Sequence, residues 1–146
     1  MSMSDLIERL EAAGIPIDDL AKSAMIDIDP GHFTDYDLEV FWHDRPIPFL
    51  FTGFGATRTI SAPHMIATLL HHLEINEGQD IMLIGSKGGY LAAIIDRMVG
   101  EEGTVTIVEP HEEVRLHTED RLASHQCSGM IRVLRPNDVG EIEHRS

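Results

Sequence analysis

Apolar positions in the second half of the chain switch between two spacings. Ile66, Leu69, Leu70 and Leu73 recur at helical intervals. Ile81 to Ile84 is a continuous apolar run, the pattern of a strand covered on both faces. Leu91, Ile94, Ile95, Met98 and Val99 form a second helical stripe, closed by Gly100. Thr104 to Val108 is a β-branched strand, and His111 to about Ser124 is a helix with a charged outer face. Met130 to Leu134 reads as a third strand, with Arg132 between Ile131 and Val133 marking an edge position. The order strand–helix–strand–helix–strand predicts an α/β fold with a parallel sheet and right-handed crossovers.

The first half has a different texture. Ser4 is a candidate cap for a helix with Leu6, Ile7, Leu10 and Ala13 on one face, ended by Gly14 and Pro16. Asp18 and Asp19 open a second short helix through about Met25. From Asp27 to Pro48 the signals are mixed. Pro30-Gly31 is a turn, and Phe33, Tyr36, Leu38, Val40, Phe41 and Trp42 argue for packing onto the domain rather than a linker. The chain therefore divides into a helical extension and lead-in over 1–60 and an α/β domain over 61–146.

Composition narrows the class. A chain of 146 residues with 42% hydrophobic residues can bury a core in one domain. No apolar run approaches the roughly 20 residues of a membrane span. The opening Met1-Ser2-Met3-Ser4-Asp5 has neither a basic region nor an apolar signal core, so a cytoplasmic location is expected. The net charge of −14 argues against nucleic acid or an anionic membrane as the main partner. Cys127 is the one cysteine, which excludes an internal disulfide and a multi-cysteine metal site. The nine histidines are scattered, and His71-His72 point about 100° apart on a helix. No metal site is expected from them.

The candidate chemistry begins where the strand at Ile81 to Ile84 meets the next helix. Gly85, Gly88 and Gly89 let the backbone turn tightly and approach a ligand at a helix N-terminus. Glu109 ends the following strand, 24 residues after Gly85. An acid in that phase can accept the ribose hydroxyls of a nucleoside. The plain alternative is a set of ordinary turn glycines and a surface acid. Upstream, Ser61 is a candidate cap for a helix whose first turn holds Pro63, and His64 there is a plain polar residue on the same footing.

Three segments carry a family resemblance. Thr59-Ile60-Ser61-Ala62-Pro63-His64-Met65 closely resembles the Thr-Ile-Ser-x-Pro-His segment of the protein-L-isoaspartate O-methyltransferase family. His43-Asp44-Arg45-Pro46-Ile47-Pro48 is similar to that family's Asp-x-Pro-Leu-Pro segment. Ile81-Met82-Leu83-Ile84-Gly85-Ser86-Lys87-Gly88-Gly89-Tyr90 stands where the family reads Val-Leu-Glu-Ile-Gly-Thr-Gly-Ser-Gly-Tyr. Gly85, Gly89 and Tyr90 match. Leu83 replaces the family's acid, and Lys87 replaces its middle glycine. The resemblance extends from about residue 6 to 139.

It implies a Rossmann-like fold that binds S-adenosylmethionine. Gly85, Ser86, Gly88, Gly89, Tyr90, Glu109 and Asp138 would be the cofactor-binding residues. Ser61 would be the catalytic hydroxyl, with Ala62, Pro63 and His64 binding the isoaspartyl carboxylate of a protein or peptide substrate. Methyl transfer to a carboxylate needs alignment and exclusion of water more than acid–base help. Lys87 adds bulk at the turn, and its charge is unfavourable beside a sulfonium.

The family's sheet runs 3-2-1-4-5-7-6, and this chain supplies strands in the order 3-2-1, a truncated parallel sheet. The edge of Ile81 to Ile84 is then expected to be covered by the N-terminal helices, by residues 27–55, by a second copy or by another protein. Two functions follow. One is methyl transfer from S-adenosylmethionine; the other is a non-catalytic, methyltransferase-derived subunit that binds a protein partner.

Overall fold

A computed structural model of the chain describes residues 2–53 and 55–139. Helix α1 spans Met3–Ala12 and α2 spans Asp19–Asp27. The cap of α1 is Ser2 rather than Ser4: its hydroxyl accepts the Asp5 N–H while the Asp5 carboxylate accepts the Ser2 N–H. This reciprocal arrangement satisfies two donors at once, which a lone Ser4 cap does not. Leu6, Ile7 and Leu10 of α1 are buried, as their spacing requires.

A short helix α3, Glu39–Trp42, leads into an antiparallel hairpin of β1 (Ile47–Phe51) and β2 (Thr57–Ile60). Helix α4 (Pro63–Leu73) follows, and then the parallel unit: β3 (Asp80–Ile84), α5 (Tyr90–Val99), β4 (Thr104–Val108), α6 (Glu112–Ala123) and β5 (Met130–Leu134). The sheet order is β3-β4-β5, with both pairs parallel. This is the parallel 3-2-1 order expected from the sequence. Register aligns Ile84 with Val108 and Val108 with Leu134, so the loops after all three strands open at one end of the sheet. Ligands of open α/β sheets bind at that end.

The core is one cluster running from Met3 to Leu122. Helix α5 is its centre, because Ala92, Ala93, Ile94 and Ile95 are all fully buried. Each such Ile contributes about 1.5–3 kcal/mol by leaving water. Tyr90 packs edge-on to Phe41 and obliquely to Phe33, with ring centroids 5.9 Å apart in both cases. Those rings tie the N-terminal segments to α5.

One expectation for the sheet is corrected. β3 is not covered on both faces: Ile84 is 76% exposed and Met82 48%. Among the described residues β3 pairs with β4 alone, so its other edge carries no strand. Met65, Leu69 and Leu73 form an exposed stripe on α4. Neither the N-terminal helices nor the hairpin add a strand to that edge. Residues 140–146, including the segment from Glu141 to Ser146, lie outside the described residues. No helix among the described residues is long and apolar enough to cross a membrane.

Candidate functional site

The turn after β3 places four of five successive residues, 85 and 87–89, in backbone of positive φ. Gly85 (φ 90°), Gly88 (φ 78°) and Gly89 (φ 96°) adopt backbone that side chains resist, and Lys87 is held at φ 45°. Gly88 and Gly89 are required for two reasons. A Cβ on Gly88 would stand 3.1 Å from the Phe49 ring, while one on Gly89 would only touch Phe33, Thr118 and Leu122 at 3.4 Å, so its backbone angle is the stronger constraint. Nothing lies within 4 Å of the Cβ position of Gly85, so the backbone there is open to approach.

Glu109 leaves β4 directly opposite. Its side chain is only 7% exposed. Oε1 accepts the Ser86 N–H at 2.8 Å and the Ser86 hydroxyl at 2.9 Å, and Oε2 accepts the His111 N–H at 2.9 Å. Thr118 Oγ1 stands 2.8 Å from Ser86 Oγ and continues the network into α6. Glu109 therefore clamps the turn after β3 to the start of α6. It is a buried charge made tolerable by three donors, two of them backbone. Oε2 retains one acceptor position.

A cavity of about 420 Å³ opens above this clamp. Gly85, Lys87 and Glu109 form one wall, and Phe49, Arg58 and Thr59 of the hairpin form the other. A smaller cavity, about 190 Å³, adjoins it and is lined by Ser61, Met65, Lys87, Tyr90 and Leu91 among others. Lys87 lines both. The candidate catalytic serine and the candidate cofactor turn are thus brought to neighbouring pockets that share one side chain. Ser86, Gly88 and Gly89 are buried behind the turn.

The family model for protein-L-isoaspartate(D-aspartate) O-methyltransferase matches residues 1–138. The chain belongs to this family. Curated relatives named protein-L-isoaspartate O-methyltransferase include one from Methanococcoides burtonii, 38% identical over 71% of this chain and 48% of the relative. Another, from Methanococcus maripaludis, is 34% identical over 63% of this chain and 43% of the relative. A third, from Ignicoccus hospitalis, is 32% identical over 81% of this chain and 54% of the relative. The chain spans about half the length of these curated relatives. A solved protein-L-isoaspartate O-methyltransferase structure superposes with a TM-score of 0.74 over 91% of this chain and 42% of its own, at 23% identity. That likeness establishes the fold.

Within this methyltransferase-family scaffold the Thr59–Met65 segment departs from its expected local chemistry. Ser61 does not cap α4. The residue at the cap is Ala62, and no side chain of the segment closes the helix. Asp44 does so from upstream: Oδ1 accepts the His64 N–H at 2.7 Å, and Oδ2 lies 2.9 Å from His64 Nδ1. Asp44 is itself held at φ 62°, a conformation Asp tolerates better than most residues. The Asp44 carboxylate takes the capping task, and the half-buried Ser61 lines the smaller cavity instead. Ala62 and Pro63 are buried beneath it, and His64 points to Asp44.

Asp138 lies after β5 at the same end of the sheet, in a one-turn helix from Pro136 to Asp138. Its carboxylate accepts the Arg135 N–H at 3.0 Å, and it does not line either cavity. Sequence reasoning missed Phe49, Arg58 and His111 as cavity walls. The hairpin that carries the first two has no clean alternation, because Pro48 interrupts it and the register shifts between Pro48 and Leu50.

Lys87 is where the turn stores strain. A non-glycine residue in left-handed backbone costs about 1–2 kcal/mol, partly offset by the lower chain entropy of a residue with a side chain. Lys87→Gly is therefore expected to raise stability by up to about 1 kcal/mol, read by chemical denaturation. The same variant removes a cation from both cavities. It is expected to strengthen binding of S-adenosylmethionine relative to the neutral S-adenosylhomocysteine; an unchanged ratio would show that Lys87 does not face the sulfonium.

His117, on α6, packs against Phe49 with ring centroids 5.0 Å apart, and its Nε2–H donates to the Phe33 carbonyl at 3.0 Å. Burial pushes its pKa below the ordinary histidine value, with the Phe33 carbonyl opposing in part. The unfolded chain then takes up the proton at higher pH than the folded one. Stability is complete above the ordinary value of about 6.5 and is lost as pH falls through the folded value. Melting temperatures should decline between neutral pH and pH 5, and His117→Gln, which keeps a donor for Phe33, should flatten that decline.

Proposed function

We propose that the two adjoining cavities form the donor and acceptor halves of an S-adenosylmethionine-dependent carboxyl methyltransferase site, acting on isoaspartyl groups in protein or peptide substrates. The carrying observation is that Gly85, Lys87 and Glu109 line one cavity while Ser61, Lys87 and Tyr90 line its neighbour. The residues fit a nucleoside. Gly85 leaves backbone open to approach, and Glu109 Oε2 has an acceptor position free for a ribose hydroxyl. Glu109 would hold the ribose, and the turn from Gly85 to Tyr90 would carry the rest of the cofactor. Asp138, at the same end of the sheet, would approach the adenine.

Bound there, the sulfonium supplies an already activated methyl group. The chain's part is then positional. Ser61 would orient the substrate carboxylate by a hydrogen bond, and the buried Ala62 and Pro63 would keep its backbone fixed. His64 acts through Asp44, which fixes the start of α4. Phe49 and Leu91 line the two cavities and would shield a bound ligand from water. Residues 1–60 serve as the lead-in that sets the hairpin against the turn. Calorimetric titration with S-adenosylhomocysteine tests the reading. Saturable binding, weakened in Glu109→Gln, is the expected result; no heat at high ligand concentration would reject the cofactor site.

A second reading is supported by the uncovered apolar surface. Ile84, Met65, Leu69 and Leu73 are exposed, and the edge of β3 carries no strand among the described residues. Such an edge recruits a strand or a covering chain. In this reading the scaffold is a non-catalytic subunit, and the covering chain is a second copy or another protein. Light scattering distinguishes them from a monomer. A monomer whose Ile81 to Ile84 amides resist hydrogen exchange would reject this second reading.

A further inference from the structure

Asp96, His125 and Cys127 stand apart from both cavities, yet a carboxylate oxygen, an imidazole nitrogen and the thiol sulfur lie within 4.8 Å of one another. Asp96 is fully buried on α5. Its two oxygens accept the backbone N–H groups of Ser128 at 2.6 Å and Gly129 at 2.9 Å. Those bonds fold the loop after α6 back onto α5, and the fold-back is what brings His125 and Cys127 to the carboxylate. Each oxygen keeps a second lone pair after accepting one N–H.

The other two groups are less committed than the carboxylate. His125 Nε2 is enclosed and has no hydrogen-bond partner among the described residues. Cys127 Sγ has one weak contact, to the His125 carbonyl at 3.8 Å. A buried nitrogen without a partner is a cost that a ligand would remove. Nearby His32 is spoken for: its Nε2 lies 2.8 Å from the Arg121 carbonyl and 3.2 Å from Ser124 Oγ. The adjacent Arg97 guanidinium is drawn away to Asp27 at 3.5 Å.

We propose that Asp96, His125 and Cys127 form a binding site for a divalent transition-metal cation of the zinc type. One nitrogen, one sulfur and one oxygen donor suit a borderline-soft ion, and exclude magnesium or calcium, which take oxygen ligands. Three protein ligands leave a fourth position for water. Binding converts the Cys127 thiol to a thiolate, and its proton passes to solvent. The ion fastens the loop at 124–129 to α5 and so steadies the approach to β5.

Cobalt(II) titrated into the metal-free full chain is the test. The expected result is one cobalt per chain, with a thiolate-to-cobalt charge-transfer absorption that zinc abolishes by displacement. Zinc should also raise the melting temperature. Cys127→Ser should remove the absorption and weaken zinc binding by at least tenfold, since losing even an outer partner of a metal ligand costs about 10–100-fold. His125→Gln should weaken zinc binding while keeping the absorption at higher cobalt concentration, and it stands in if Cys127→Ser fails to fold. Cobalt bound without a thiolate band, or zinc affinity unchanged in either variant, would overturn the proposal.

Discussion

Replacing Glu109 with alanine is expected to lower the unfolding free energy by about 2–5 kcal/mol. The carboxylate is almost wholly buried and accepts three hydrogen bonds, from the Ser86 N–H, the Ser86 hydroxyl and the His111 N–H. Alanine leaves both backbone donors without a protein partner, and each orphaned buried donor costs about 1–3 kcal/mol. The Ser86 hydroxyl can still turn to Thr118, so the third loss is the smallest. Chemical denaturation reads the change directly. A loss below about 1 kcal/mol would mean that water replaces the carboxylate, and the clamp between the turn and α6 would not be structural.

That prediction alters how a binding experiment must be read. If Glu109 holds the turn as well as a ribose, Glu109→Ala loses the ligand by either route. Glu109→Gln separates them better. Its amide oxygen can keep the Ser86 donors, while its amide nitrogen faces His111 and can no longer accept there. Affinity lost in a glutamine variant whose melting temperature is only modestly reduced points to the ligand contact.

Much of the parallel unit was legible because the local and global signals agree there. β4 and β5 occupy the predicted Thr104 to Val108 and Met130 to Leu134, and Gly100 ends α5 at φ 74°. Gly85 and Glu109 could be expected to meet because parallel register carries Ile84 and Val108 to the same end of the sheet. The hairpin was not legible, since Pro46 and Pro48 remove the donors that a strand pattern relies on. Nor was the helix cap: Asp44 reaches α4 from twenty residues upstream, and nothing local to Ser61 marks it as spare. The convergence of Asp96 with His125 and Cys127 depends on a loop folding back over α5, which spacing along the chain does not encode.

Tyr90→Phe is expected to stabilise the protein by about 1–3 kcal/mol, although tyrosine at this position matches the family motif. The side chain is completely buried among Phe33, Phe41 and the α5 stripe, and its hydroxyl has no hydrogen-bond partner among the described residues. Burial pushes its pKa far above the ordinary tyrosine value, so the group is a neutral phenol throughout the working range. A buried hydroxyl without a partner costs about 1–3 kcal/mol, and phenylalanine removes it without changing the ring packing. Tyr90 also borders the smaller cavity beside Ser61 and Lys87. The hydroxyl itself has no solvent-exposed surface, and the Asp29 carboxylate of the N-terminal segment joins burial in raising its pKa, so it belongs to the interior rather than to the cavity. The variant should therefore melt higher and bind S-adenosylhomocysteine about as well as the parent chain. A lower melting temperature would show that an ordered water already satisfies the hydroxyl. Higher stability with weaker affinity would show instead that the hydroxyl reaches the ligand.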